Sequence, residues 1–283
     1  MVIIPACLPL DHQLIISGDW HEGSRLQEPK VLNAVRDEIL SQPRTYLAHP
    51  GDWAEGILID DPRYDPTTQK QWTPLKQYQN IKDFVEPIRK KVLCACFGNH
   101  DYRLFRWGNM VQDYLCKELS IPYGTFAAKI EIKDRRGNHQ YKVYLTHGRK
   151  QIGSAADDPI RVQSNMELTL KRHLKNKAAD CLVMAKGHTH KLLCIHPRQD
   201  LYLYDDGTDI KSSYRVSEPG TNFIHPDLRY FGNSGSAYRL FADPKEAVSS
   251  YGEIGEYDPV ELGYLRLTVV NGKVVDFRKV VVG

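Results

Sequence analysis

The sequence has little that would mark a secreted, membrane or fibrous protein. Its 283 residues include only six cysteines. These show no framework spacing, so a disulfide-stapled scaffold is not expected. Cys94, Cys96, Cys181 and Cys194 fall in apolar strand-like runs, where buried thiols are common. A reducing, cytoplasmic setting is the simplest reading. No apolar run is long enough to cross a bilayer, so no membrane partner is expected. The first residues are apolar but interrupted by Pro5, Pro9, Asp11 and His12, with no basic segment ahead of them; they do not read as a signal peptide. Net charge is only +3, which neither demands nor excludes a nucleic-acid partner. Internal repeats and low-complexity tracts are missing as well.

What remains is an ordinary globular composition with 41% hydrophobic residues. The length suits one large α/β domain or two small ones. A single domain over residues 1–283 is expected, with an insertion or long excursion at about 197–230 that is polar, Gly/Pro/Asp-rich and dotted with tyrosine. Apolar runs at 13–17, 45–48, 92–97, 141–146, 181–185 and 192–195 read as strands. Helical spacing predicts helices from Pro29 to about Leu40, over 74–90 with Pro87 shortening or kinking the end, from Arg103 to Leu119 with an interruption at Gly108, and over 160–176. Residues 60–72 read as a surface loop and Phe231–Ser236 as a tight polar turn. Asn271-Gly272 between alternating segments marks a closing hairpin.

The chemistry sits where these strands stop. Gly18-Asp19-Trp20-His21 follows the first run. Two ligand-type side chains at i and i+2 of an extended segment lie on one side, so Asp19 and His21 can reach one metal; a loop Asp with a chance His is the alternative. Asp52 follows the second strand, where a Pro-Gly-Asp turn is the competing reading. Gly98-Asn99-His100-Asp101 ends the central run, His147-Gly148 ends the hairpin, and Gly187-His188-Thr189-His190 follows the next strand. Asp19, His21, Asp52, Asn99, His147, His188 and His190 make seven candidate ligands, enough for two adjacent divalent metals if one carboxylate bridges them. Mixed imidazole and carboxylate donors suit manganese, zinc or iron better than calcium. Two metals roughly 3.5–4 Å apart hold a water as hydroxide and clamp the oxygens of an in-line displacement at phosphorus. The remaining histidines (His12, His49, His139, His173, His196 and His225) read as surface or loop residues. The basic run 171–177 reads as a solvated helix end.

The ordered set Asp-x-His, Gly-Asp, Gly-Asn-His-Asp, His-Gly and Gly-His-x-His, spread over residues 17–190, resembles the calcineurin-like metallophosphoesterase superfamily. Gly98-Asn-His-Asp-x-Arg103 is similar to its small prokaryotic and phage-encoded members. The resemblance implies an α/β fold: a four-layer αββα sandwich of two mixed β-sheets flanked by helices, with a dinuclear metal site at the strand C-terminal ends. It implies two divalent ions, Mn²⁺ first, with Fe, Zn or Ni as alternatives. It puts Asp19, His21, Asp52 and His190 on the first metal, with Asp52 bridging, and Asn99, His147 and His188 on the second. His100 would face the phosphoryl group, kept protonated by an acidic partner. Glu55 is that partner by position, and Asp101 is the competing candidate.

One departure matters. The protein-phosphatase branch carries Gly-Asp-x-Val-Asp-Arg-Gly at the second block, whereas this chain has Gly51-Asp-Trp-Ala-Glu-Gly56. The phosphate-gripping arginine is therefore missing there. Arg103 and Arg149 are expected either to replace it or to be plain surface residues. The expected activity is a metal-dependent phosphoesterase, with a phosphodiester of a nucleotide or nucleic acid favoured over a small phosphomonoester. A non-catalytic scaffold on the same fold is the reading from another class, and the intact ligand set with His100 speaks against it. Oligomeric state is not legible.

Overall fold

In the computed structural model, which describes residues 1–216, 222–245 and 248–283, the apolar runs build two large mixed sheets. The first half runs β1 (Val2–Cys7), β2 (His12–Ile16), α1 (Pro29–Ser41), β3 (Thr45–His49), α2 (Pro74–Val85), β4 (Val92–Ala95), α3 (Asn99–Arg103), α4 (Lys117–Leu119), β5 (Ala127–Lys133) and β6 (His139–Thr146). The second runs α5 (Pro159–Leu174), β7 (Val183–Lys186), β8 (Leu192–Ile195), β9 (Leu201–Asp205), β10 (Ile210–Tyr214), β11 (Tyr230–Ser234), α6 (Tyr251–Ile254), β12 (Gly263–Val270) and β13 (Lys273–Val281).

One sheet has the order β13-β12-β2-β3-β4, the other β1-β5-β6-β7-β11-β8. In the first, β2, β3 and β4 are parallel and β12 and β13 antiparallel. In the second, β6, β7 and β11 are parallel neighbours.

Period-two alternation decides which way each side chain goes. On β2, Leu14 and Ile16 point between the sheets and meet Ile130, Val143, Leu145, Val183, Leu265 and Leu267. Ile15 points the other way, with Leu47, onto Val31, Val35 and Ile39 of α1 and Tyr78 and Ile81 of α2. On the far side, Leu170 and Leu174 of α5 cover Tyr144, Met184 and Phe231. Three apolar interfaces thus separate four layers, α-β-β-α, as the sequence resemblance implies. Pro29, Pro74 and Pro159 each open a helix, where the missing N–H costs nothing. Among the described residues, no helix is long and apolar enough to cross a membrane.

Several elements differ from the sequence reading. Phe231–Ser236 is not a turn: Tyr230–Ser234 is β11, an inner strand between β7 and β8. Its small residues are needed because the other sheet comes close. A side chain on Gly232 would run into Leu265 and Phe277. The region 103–119 is not one helix. α3 starts four residues earlier, at Asn99, Gly108 breaks the chain at φ 125°, and Met110–Cys116 forms a π-helical turn before α4. β1 was hidden by Pro5, which an edge strand tolerates. The excursion 197–230 carries the exposed hairpin β9–β10; its residues 217–221 lie outside the described residues.

Candidate metal centre

The segments that follow β2, β3, β4, β6 and β7 converge, so both sheets contribute to one site. Backbone pairing locks these segments together: Asp19 N–H donates to Gly51 O at 2.9 Å, Trp20 N–H to Asp52 O at 2.8 Å, and Cys96 N–H to His49 O at 2.9 Å. Five of the seven candidate ligands have left-handed backbones, with φ of 52° at Asp19, 50° at His21, 57° at Asp52, 80° at His188 and 56° at His190. Such conformations cost energy in non-glycine residues and cluster where structure serves function. Gly98 is required by proximity: a Cβ there would collide with the Asp52 carboxylate.

Two sets of donor atoms result; Asp52 Oδ2 belongs to the second and approaches the first only at His21 Nε2. In the first set, His21 Nε2 lies 3.1 Å from His190 Nε2, His190 Nε2 lies 3.6 Å from Asp19 Oδ1, and His21 Nε2 lies 4.0 Å from Asp52 Oδ2. In the second, His147 Nε2 lies 3.2 Å from Asp52 Oδ2 and 2.9 Å from Asn99 Oδ1, and His188 Nδ1 lies 2.7 Å from Asn99 Oδ1. Asp19, His21 and His190 satisfy the spacing of a three-ligand cation site, and so do Asp52, His147 and His188. Asp19, His21, Asp52 and His147 are buried to 2% exposure or less.

The surroundings fix the ligand atoms in place. His21 Nδ1 sits 2.9 Å from Glu55 Oε2, so its proton goes to the carboxylate and Nε2 faces the centre. Tyr251 Oη lies 3.2 Å from His190 Nδ1. Asp19 accepts His188 N–H at 3.0 Å on each oxygen, and its own carbonyl is held by Ser236 Oγ at 2.9 Å. Asp52 Oδ1 accepts His100 N–H at 2.9 Å, leaving Oδ2 to the centre.

Burial and mutual contacts set the electrostatics of the centre. Burial raises Asp19 to about 6, against the pull of His147. Burial also works against ionised Asp52, but His147 and His100 overcome it and hold Asp52 well below the usual carboxylate range. Burial, with His147 beside it, lowers His188 to about 4; burial and His21 push His190 far down. Both rings are therefore neutral and offer a lone pair. His21 goes the other way: burial opposes its charge, but the Glu55 hydrogen bond raises it to about 9. Two imidazole nitrogens face each other at 3.1 Å beside two carboxylates, and His147 Nδ1 is buried without a hydrogen-bond partner. This donor set fits two divalent ions.

The acidic partner expected for His100 is arranged differently. The Glu55 carboxylate is taken by His21, and what reaches His100 Nδ1 is the Glu55 backbone carbonyl, at 2.5 Å. His100 is consequently lowered by burial, with Asp52 opposing. Asp101 is the anchor of the loop after β3. Its oxygens accept the N–H groups of Asp52 and Gly98 at 2.8 Å and Trp53 at 3.2 Å, and the Tyr78 hydroxyl at 2.6 Å.

Neither expected arginine lines the cavity above the centre. Arg103 pairs with Asp61, and Arg149 lies over the rings of Tyr102 and Phe126. The arginine on the cavity lip is Arg63, which the sequence reading left in a surface loop. Tyr251 and Tyr238 were missed too, because no motif surrounds them, and Ser236 was read only as part of a polar turn. His49 and His12 are not surface residues. His49 stacks on Trp53 at 3.5 Å and accepts Gly51 N–H, while His12 Nε2 bonds Tyr141 Oη at 2.7 Å.

Comparison with known proteins bears on this centre. Curated protein sequences give no match. Among solved structures, a predicted phosphoesterase from Streptococcus pneumoniae aligns at TM-score 0.33 and 12% identity, over 96% of this chain and 98% of that one. The NAD nucleotidase of Haemophilus influenzae aligns at TM-score 0.39 and 12% identity, over 95% of this chain and 49% of that one. A calcineurin-like phosphoesterase from Bacillus subtilis aligns at TM-score 0.32 and 12% identity, over 77% and 94%. These likenesses are too distant to carry an argument about substrate. The family model for calcineurin-like phosphoesterases, in contrast, matches residues 12–211, a span holding every candidate ligand. The chain belongs to the calcineurin-like phosphoesterase family, and membership implies metal-dependent hydrolysis of a phosphoester.

Proposed function

We propose that the protein is a dinuclear phosphoesterase in which Asp19, His21, Asp52 and His190 hold one divalent ion and Asp52, Asn99, His147 and His188 the other. The observation that supports this reading is the place of Asp52 Oδ2, 3.2 Å from His147 Nε2 of one set and 4.0 Å from His21 Nε2 of the other. Metals bound there would activate water and neutralise charge on the phosphoryl group. Mn²⁺ is the first candidate, and Fe, Zn or Ni suit the same donors.

The side chains supply the rest. Glu55 orients His21, and Tyr251 orients His190, in the way outer hydrogen bonds orient metal-binding imidazoles. His100 lines the cavity and is tethered through Nδ1, which leaves Nε2 for the ester. A phosphoryl anion arriving beside it favours the charged ring and lets Nε2 donate to the leaving oxygen. Asp101 positions the Asp52 loop and takes no part in proton transfer. Arg103 and Arg149 are not substrate contacts in this reading.

Phosphodiesters are the favoured substrates. The second block, Gly51-Asp-Trp-Ala-Glu-Gly56, lacks the arginine of the protein-phosphatase motif, so a monoester dianion gains less there. The test is hydrolysis of bis-p-nitrophenyl phosphate against p-nitrophenyl phosphate by chelator-stripped protein restored with Mn²⁺, with Asp52→Asn as control. The diester is expected to turn over faster and the variant to lose about 10²-fold or more. Monoester preference would contradict the substrate reading, and full activity in Asp52→Asn would contradict the bridge.

A further inference from the structure

The cavity over the metal centre encloses about 900 Å³ and extends well past the ligands. That volume lies in the small-molecule range of about 300–1,000 Å³. One end is the centre itself, with Asp52, Asn99 and His100. The other end is lined by the segment around α6; Arg63 also lines the cavity and acts on the charge of Glu55 and His100.

Three properties define that outer end. It is aromatic: Tyr251 and Tyr257 remain 44% and 54% exposed, and their rings meet at 77° with centroids 5.9 Å apart, forming an open corner. It is continuous with the centre, because Tyr251 Oη also touches His190 Nδ1 at 3.2 Å. Its charge is mixed. Arg63 and Arg103 share the carboxylate of Asp61, and Asp65, Glu256 and Asp258 add further carboxylates to the lining.

We infer that this corner is a nucleobase subsite, so that the substrate is a nucleotide ester whose base stacks on Tyr257 and Tyr251 while its phosphoryl group lies over Asp52 and His100. The inference rests on the phosphoesterase reading above. A flat heteroaromatic ring gains stacking on tyrosine, which an aliphatic or sugar group forgoes. Glu256 and Asp258 can accept hydrogen bonds from exocyclic amines of a base. The same two carboxylates repel further phosphates at the outer end. The site therefore suits a single nucleotide unit better than a running polynucleotide strand.

The test needs neither metal nor turnover. The full chain, stripped with chelator, is titrated with adenosine 5′-monophosphate and with ribose 5-phosphate, and binding is followed by saturation-transfer NMR. Base stacking on one aromatic side chain changes affinity about fivefold or more. The nucleotide is expected to bind at least about fivefold tighter, with saturation on its base protons. Tyr257→Ala should abolish that margin, and Tyr257→Phe, which keeps the ring, should retain it. Equal binding of the two ligands, or a margin that survives Tyr257→Ala, overturns the subsite. Diester hydrolysis without base-dependent binding removes the subsite alone. Base-dependent binding without hydrolysis of any phosphoester removes the esterase reading and leaves the subsite.

Discussion

His21 carries the acid–base character of the centre, and Glu55 sets it. The carboxylate fixes the ring through Nδ1 and raises its pKa to about 9 in the metal-free protein. Two outcomes follow. Glu55→Gln should lower Mn²⁺ affinity about 10–100-fold, measured by calorimetry, because the ring loses its orienting acceptor; unchanged affinity would mean that Glu55 does not serve the metal. The pH effect has a definite sign. The folded chain holds the His21 proton more tightly than the unfolded chain, whose ordinary value is 6.5. The stabilisation is complete below about 6.5 and is lost as pH rises through about 9. The metal-free melting temperature should therefore fall between those values, and His21→Ala should flatten the slope. The convergence of the seven candidate ligands was legible in the sequence because each follows a strand and a short polar motif. Glu55 was legible as a residue but not in its contact. Position gave its distance from Asp52 along the chain, whereas the turn at Asp52 sent the carbonyl to His100 and the carboxylate to His21.

At the scale of elements, the loop after β3 depends on Asp101 at the start of α3. One buried carboxylate accepts backbone N–H groups from four residues and the Tyr78 hydroxyl. Asp101→Ala would strand several buried donors at once, each costing about 1–3 kcal/mol. A loss of about 3 kcal/mol or more is expected in denaturant unfolding. Loss of activity with unchanged stability would instead point to a direct chemical role. The strands β2, β3 and β4 were plain in the sequence as apolar runs ended by glycine or proline. β11 was not, since Gly232, Asn233 and Ser234 are residue types that turns favour; only the close packing of the second sheet makes them a strand. Likewise, π-helical winding at Met110–Cys116 has no signature in local periodicity.

Across the whole molecule, the two sheets have separate tasks that meet at one edge. The β2-β3-β4 side brings Asp19, His21, Asp52 and Asn99, and the β6-β7 side brings His147, His188 and His190. In the proposed reading, the Asp52 carboxylate bridges them. The four-layer architecture and the family were legible because the five motif blocks are local and ordered. The cavity walls were not: residues 62–65 and 249–258 carry no motif, and long-range packing alone brings Arg63 and Tyr251 into one cavity. The most direct test of the shared bridge is anomalous diffraction from crystals soaked in Mn²⁺. Two peaks are predicted, one among Asp19, His21 and His190 and one among Asn99, His147 and His188, with Asp52 in contact with both. A single peak, or two peaks of which Asp52 touches only one, would contradict the account.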